Sequence, residues 1–427
     1  MGKKLSLRLL IATILWLGLM ILKYEGKFTE KLVGPAFLLT LIMVVGVLVE
    51  HLLQYRGDPF LLPTVEAIMT VGLVFLVRIR PDLALRQFWW ANLGLVVFYM
   101  LLWGIRDYRH LGRLQYFWGL AALVLLAVTL IFGFASHGAT SWIRIGAFAA
   151  EPEELVKVAL LLFLASYLAE HEELLRVGTV QLGRVSLPDF RTFGPFLLMA
   201  AFSLGFLAAQ KSLGTALVFY SLFVLLLYAV TDRILYLAVA VPVFLATGWL
   251  GYLLFGHVRV RVSAWLDPWQ DVSGGGYQIA QSLFAISGGG IIGTGLGNGI
   301  GAFQVPEAST DFIFSVIAEE LGFAGGMAVL CLMLIVVLRA FSVSMKTPDR
   351  FGQILTAGVG ILIGTEALII LAGVIKLLPL TGLPLPWVSY GGSSLLVHFV
   401  LLGFLANVSH NSAVSTTATA TGREYAT

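Results

Sequence analysis

Apolar stretches of about 17–25 residues, each bounded by short polar or charged runs, recur along nearly the whole chain. Stretches of that length cross a bilayer as helices, because a helix pairs all its interior backbone groups within itself. The pattern predicts about twelve spans, near 8–23, 33–53, 60–78, 87–104, 115–134, 153–170, 192–209, 214–230, 234–255, 311–338, 352–375 and 392–408. The expected fold class is an all-α polytopic membrane protein. Two segments break the rhythm. Residues 256–310 are polar and glycine-rich, with amphipathic pieces such as Tyr277–Ile286 that read as short re-entrant helices. Leu378–Ser394 carries three prolines and ends Gly-Gly-Ser-Ser, so it bars a regular helix and leaves backbone groups that hydrocarbon would not tolerate. An irregular, polar, rigid loop between two apolar spans is a functional candidate.

Composition and charge set the topology. The chain is 59% hydrophobic and 12% charged, far from a soluble balance. With the N-terminus in the cytoplasm, the inner ends hold Lys3, Lys4, Arg8, Arg56, Arg106, Arg109, Arg113, Arg339 and Lys346, among others. The outer ends hold fewer, including Lys27, Lys31, Arg80, Arg86 and Arg144. That is the positive-inside bias; it puts both termini in the cytoplasm and both irregular segments outside. No small-residue cleavage site follows the first span before Lys23, so that span is not a cleaved signal. The single cysteine, Cys331, excludes an internal disulfide, and the seven histidines show no zinc spacing. The basic residues follow topology, so nothing points to nucleic acid. Three regions result: two N-terminal helices (1–57), a ten-helix body (58–408, with the external loop 256–310) and a disordered cytoplasmic tail (409–427).

Charges inside spans mark sites or structural pairs. Glu154 and Lys157 share a helix face and read equally as an ion pair at the helix mouth. Lys211 sits in a polar break between two spans, where a snorkelling lysine is the plainer reading. Glu366 and Lys376 read as packing or pairing residues at the eleventh span. Asp311 is expected in the first turn of a helix capped by Ser309 or Thr310. It is either an acidic cap or a carboxylate presented at an external cavity. Glu319 and Glu320 lie deeper and must face protein or water. The run Gly288–Gly293 fits a dinucleotide fingerprint in letters only, without the strand, turn and helix it needs.

At these residues the chain resembles the SEDS family of shape, elongation, division and sporulation proteins (FtsW, RodA and SpoVE). The resemblance rests on Pro384–Ser394, on Asp267–Trp269 with Gly276–Gln278, and on Thr310–Phe314 with Ala318–Gly322. Gly138–Arg144 and the Pro152, Glu154, Lys157 run add to it. Ser309, Ser212 and Ile370 depart from the residues common in the family, and the first two helices lie outside its usual ten. The resemblance implies a peptidoglycan glycosyltransferase in the cytoplasmic membrane of a bacterium. It would polymerise lipid II onto a growing glycan strand at the outer face, with a class B penicillin-binding protein as partner. Asp311 matches the family's catalytic acidic residue. Trp142, Arg144, Glu154, Lys157, Lys211, Arg259, Arg261, Ser389, Tyr390, Gly391, Gly392 and Ser393 become the candidate substrate-binding residues.

The chemistry agrees. A polyprenyl diphosphate leaves as an anion and needs positive charge more than a proton. The attacking sugar hydroxyl needs a base, which Asp311 supplies. Arg144, Lys157, Lys211, Arg259 and Arg261 are the external cations, and the sequence leaves open which meets the diphosphate. One carboxylate with cations is a sufficient minimal set, and a divalent cation, Mg or Mn, is an admissible addition that the sequence leaves open. The opposing reading is a flippase or transporter of a lipid-linked precursor, which would place its polar sites near the midplane. A non-catalytic scaffold gives no reason for a carboxylate at a cavity mouth. The first two helices offer no ionisable residue between Leu9 and Leu22 or between Val33 and Val49. They are expected to be dispensable for basal activity.

Overall fold

The computed structural model describes residues 2–136, 139–145, 148–178, 180–182 and 185–424. Gly138, the first residue of one motif above, lies outside them. Helices α1 (Gly2–Tyr24) and α2 (Val33–Leu52) form a hairpin, followed by α3 (Leu61–Ile79), α4 (Pro81–Gly104), the single turn α5 (Arg109–Gly112) and α6 (Gln115–Phe132). Strands β1 (Phe134–Ser136), β2 (Ala139–Ile145) and β3 (Phe148–Ala150) make a small antiparallel sheet before α7 (Pro152–Val177). The hairpin of β4 (Val180–Leu182) and β5 (Val185–Leu187) leads to α8 (Phe190–Ala209), α9 (Leu213–Thr231) and α10 (Ile234–Leu254). Three short helices, α11 (Gly256–Leu266), α12 (Tyr277–Gly289) and α13 (Gly301–Gln304), fill the long loop. The long helices α14 (Ile313–Lys346), α15 (Arg350–Val374) and α16 (Gly392–Glu424) close the bundle.

Among the described residues, eleven helices are long and apolar enough to cross a membrane. The twelfth expected span is α7, whose 26 residues include Glu153, Glu154 and Lys157 in the first two turns. Those charges dilute its hydropathy, and they are buried inside the protein instead of facing lipid. The protein is thus a mostly helical, multi-pass membrane protein with short helices in its long loop. The small strands were not anticipated; four of the five span only three residues, too few to show a period of two.

The layering follows burial. Helices α3, α15 and α16 are central, with 83, 78 and 78% of their apolar windows covered, against 11% for α10 at the rim. Local breaks have local causes. Pro81 opens α4 at a position that needs no backbone donor. Asp349 caps α15 by accepting from the Gly352 amide at 2.9 Å. Gly322, at φ 69°, divides α14 into two pieces. A Cβ there would stand 2.3 Å from the Gly293 amide nitrogen, so only glycine fits. The groups this break frees are used by the loop: the Thr294 and Gly295 amides donate to the Glu319 and Glu320 carbonyls at 3.0 and 2.9 Å. Phe323 and Ala324 donate back to Gly290 and Ile291.

Two expectations change. The first two helices do not stand apart. Arg8 of α1 is 1% exposed and donates to Glu66 of α3 at 3.0 Å and to Glu50 of α2. Glu66 is fully buried. Arg8 sits just ahead of the apolar run and Glu50 just behind its partner, so a search between the run ends passed over both. The second change is the tail. Helix α16 continues past Ser409 to Glu424. Ser409 accepts from the Asp58 amide at 2.9 Å, and His410 accepts from the Arg56 amide at 3.1 Å. These bonds tie the start of the expected tail to the 54–58 linker.

Candidate active site

The two segments that break the apolar rhythm meet at Asp311. Residues 305–312 turn before α14, with Glu307 at φ 51° and the Thr310 hydroxyl donating to the Glu307 carbonyl at 3.3 Å. Helix α14 begins at Ile313 behind the buried Phe312, which holds its N-cap position. Ser309 and Thr310 are therefore not caps, and Asp311 stands ahead of the first turn. Their carbonyls are turned to the proline loop: the Tyr390 amide donates to Ser309 at 2.9 Å, and the Ser389 hydroxyl donates to Thr310.

That loop brings charge to Asp311. Arg261 of α11 donates to the carbonyls of Thr381 and Leu380 at 3.2 and 3.4 Å. Gly382, at φ 74°, looks onto both charges. A Cβ added there would lie 3.4 Å from Asp311 Oδ2 and 3.9 Å from Arg261 Nη2. Burial lowers the Arg261 pKa, and the Asp311 carboxylate works against that shift. His257 is also held low, first by burial and then by the charges of Arg261 and Lys211. Asp311, Arg261, His257 and Lys211 thus form one electrostatic cluster at the mouth of the bundle. Asp311 itself is half-buried, and Lys211 is exposed at φ 61° in the turn between α8 and α9.

The other candidates take different places. Ser389, Tyr390 and Gly391 position the loop: Gln87 of α4 donates to the Ser389 carbonyl at 3.2 Å and accepts from the Gly391 amide at 3.3 Å. Gly392 opens α16, where a Cβ would meet the Trp90 ring at 2.4 Å. The Ser393 hydroxyl accepts from the Glu151 amide at 3.3 Å, joining the loop to the start of α7. Trp142 and Arg144 lie on β2, with the Arg144 guanidinium 5.0 Å from the Phe134 ring centre. No described contact joins them to Asp311. Arg259 is exposed and donates to the Leu253 carbonyl at 3.0 Å. Two residues from Arg261 on α11, it projects from the opposite face and stays outside the cluster.

Glu154 and Lys157 belong to a larger buried chain. The Lys157 ammonium donates to both Glu154 oxygens at 2.9 Å and pairs with Glu366 of α15. His398 of α16 reaches the other Glu366 oxygen at 2.7 Å. The network ties three helices together under the loop. Glu366 was expected to pair; His398 and Gln87 were missed, although a histidine within an apolar span is a usable signal. Glu319 and Glu320 face protein, as expected. Glu319 accepts from the Ile300 and Gly301 amides at 3.0 and 2.8 Å, and Glu320 pairs with Arg78 at 3.0 Å. Lys376, at φ 63°, ends α15 and offers its carbonyl to Trp265.

Two outcomes follow. Reversing the pair to Glu154→Lys with Lys157→Glu sets a carboxylate beside Glu366. The reversed protein is expected to be less stable than wild type by about 3–5 kcal/mol, the range for breaking a buried pair. Wild-type stability and turnover in the reversed protein would show that charge order in this network is irrelevant. The second concerns Glu151, just ahead of α7. Burial pushes its carboxyl up to about 8, with the nearby Glu154 and Glu153 adding to the shift. Between the ordinary value of 4.5 and about 8, the unfolded chain releases this proton while the folded chain keeps it. Stability therefore falls as pH rises through that window. Glu151→Gln removes the fall, so its advantage in thermal midpoint over wild type should be larger at pH 8 than at pH 5. A smaller advantage at pH 8 would refute the sign.

The chain was then compared with known proteins. Residues 63–414 match the cell cycle protein family of FtsW, RodA and SpoVE. Peptidoglycan glycosyltransferase RodA of Mycobacterium tuberculosis is 39% identical over 392 residues, covering 89% of this chain and 83% of that protein. A chain solved in work on the structural coordination of polymerization and crosslinking by a peptidoglycan synthase complex aligns with TM-score 0.69 at 30% identity. That alignment covers 84% of this chain and 98% of the other. The crystal structure of the rod shape determining protein RodA of Thermus thermophilus aligns with TM-score 0.59 at 28% identity, over 83% of this chain and 97% of that one.

Proposed function

The chain belongs to the FtsW, RodA and SpoVE family, and on that premise we propose how its residues divide the work. It is a peptidoglycan glycosyltransferase. Its substrate is lipid II, and its product is a glycan strand longer by the added unit. Asp311 accepts the proton of the attacking sugar hydroxyl. That oxygen forms the new glycosidic bond as the bond from the anomeric carbon to the diphosphate breaks. Undecaprenyl diphosphate leaves with the electron pair. Arg261 and Lys211 offset the charge that develops on it. The observation that carries this reading is the placement of Asp311 against Arg261 beneath Gly382 of the proline loop.

The donor set does not fit a resident metal. One carboxylate stands among cationic groups, and no group of three metal-ligating side chains occurs among the described residues. No step is routed through a metal. The intramembrane charges are bound to one another, as in the chain from Glu154 to His398, which supports a structural role for them over a transport path.

Asp311 faces the outside in this reading, and both termini face the cytoplasm of a bacterium, with the plasma membrane as the site of work. The positive-inside bias supports the orientation. A class B penicillin-binding protein is the proposed partner, supported by the structural likeness to a chain of a peptidoglycan synthase complex. The test is the purified full-length protein with lipid II, with and without that partner, scored for glycan chains by electrophoresis. Chains of increasing length support the reading. Lipid II left intact under both conditions, by protein shown to be folded, rejects it.

A further inference from the structure

At the end of the bundle that carries both termini, a cleft of about 250 Å³ opens between α2, α4 and α16. Tyr55, Trp103, Arg106, Asn407, His410 and Asn411 line it, and no carboxylate does. Arg106 is exposed and has no ion pair among the described residues. Arg56, next to the cleft residue Tyr55, is likewise exposed without an ion pair among them. Asp107, next to Arg106, accepts from the Arg109 amide at 3.0 Å, and the other nearby carboxylates are already neutralised. Glu50 is held by Lys4 and Arg8, and Asp58 binds Arg339 through both oxygens at 2.7 Å. The wall is built rather than loose. His410 stacks on Tyr55 with ring centres 5.7 Å apart and accepts from the Arg56 amide through Nδ1. The neutral ring then carries its proton on Nε2, which makes that nitrogen a donor. The Asn411 amide donates to the Asn407 carbonyl at 3.0 Å.

We propose that this cleft binds the phosphate headgroup of an anionic phospholipid of the cytoplasmic leaflet. A phosphodiester needs cationic and N–H donors without a competing carboxylate, and the lining supplies that set. The position selects a lipid over a soluble anion. Trp103 is 72% exposed and Leu52 is 71% exposed beside the cleft, at the helix ends where tryptophan marks the boundary between hydrocarbon and water. Acyl chains anchored there would run along the outward faces of α2 and α4. Basic pockets between helices on the cytoplasmic side suit such headgroups. One wall, Leu53 and Tyr55, precedes the matched family region, which begins at residue 63. The naming of the leaflet rests on the orientation proposed above; the chemistry does not.

The experiment uses full-length protein in zwitterionic detergent with added phosphatidylglycerol or phosphatidylcholine of the same acyl chains. Native mass spectrometry counts retained lipid, and thermal unfolding reads protection. Wild type should retain phosphatidylglycerol over phosphatidylcholine by roughly fivefold or more for each contributing arginine. Arg106→Gln should lose roughly fivefold of that preference, and Arg56→Gln with Arg106→Gln should abolish it, with unchanged melting in phosphatidylcholine. Equal retention of the two lipids by wild type overturns the proposal and needs no variant. So does a preference unchanged in the double variant. Equal protection by millimolar inorganic phosphate would assign the cleft to a free anion and overturn the lipid reading. Retention is read without lipid II, so failure of the polymerisation assay and failure of this proposal are separate results.

Discussion

Asp311→Asn is expected to lower polymerisation of lipid II by roughly 10²–10⁴-fold, the range supplied by a positioned general base. The amide matches the carboxylate in size but cannot take the hydroxyl proton. Asp311 stands ahead of α14, whose N-cap position is held by Phe312. The segment is held by main-chain carbonyls bonded to Ser389 and Tyr390, which the change leaves in place. Thermal unfolding of the variant should therefore stay close to wild type while glycan chains disappear. Asp311→Glu keeps the acid but moves it by one methylene, and should retain a small fraction of activity. A purified Asn variant with wild-type chain growth would remove Asp311 from the chemistry.

The largest effect on stability is expected at Arg8. Arg8→Met leaves Glu66 fully buried with its cation gone, at a cost of about 3–5 kcal/mol. Against a typical folding free energy of about 5–15 kcal/mol, that is enough to deplete the protein from the membrane. Truncating residues 1–54 has the same consequence, because it removes Arg8 and Glu50 together and uncovers α3. The apolar pattern alone predicts a dispensable hairpin, and the buried pairs predict an integral one. The diagnostic is rescue: Glu66→Gln combined with Arg8→Met removes the unpaired charge and should restore much of the lost melting temperature. A truncated protein as abundant, as stable and as active as the full chain would show that the buried pair contributes nothing.

The fold was legible where physics acts locally. Span length and the positive-inside bias are properties of consecutive residues, so the helical, multi-pass architecture followed from them. The short helices of the long loop followed from amphipathic runs between glycines, and Tyr277–Gly289 is one. The candidate positions were legible as residue types out of place, such as Asp311, Lys157 and the proline loop. Their partners were not. Arg261 meets residues 380–382 across 120 positions of chain, and Lys157 meets Glu366 across an entire half of the bundle. Such pairings depend on helix packing that no single window contains. Arg259 and Arg261 read alike in sequence; only the facing of α11 separates them. Gln87 and His398 were passed over because each is a lone polar residue whose role exists only once the loop is docked.

The broken helix at Gly322 has a kinetic consequence. Four cross-bonds join residues 290–295 to 319–324, and each satisfies a main-chain group that the break would otherwise leave bare. Lifting the loop exposes all of these groups at once, so it has no cheap partial opening. The amides of Thr294, Gly295, Phe323 and Ala324 are therefore expected to exchange with solvent deuterium together, at a single slow rate set by release of the whole loop. Residues 290–295 thus form one mechanical part with the stretch of α14 that they cross.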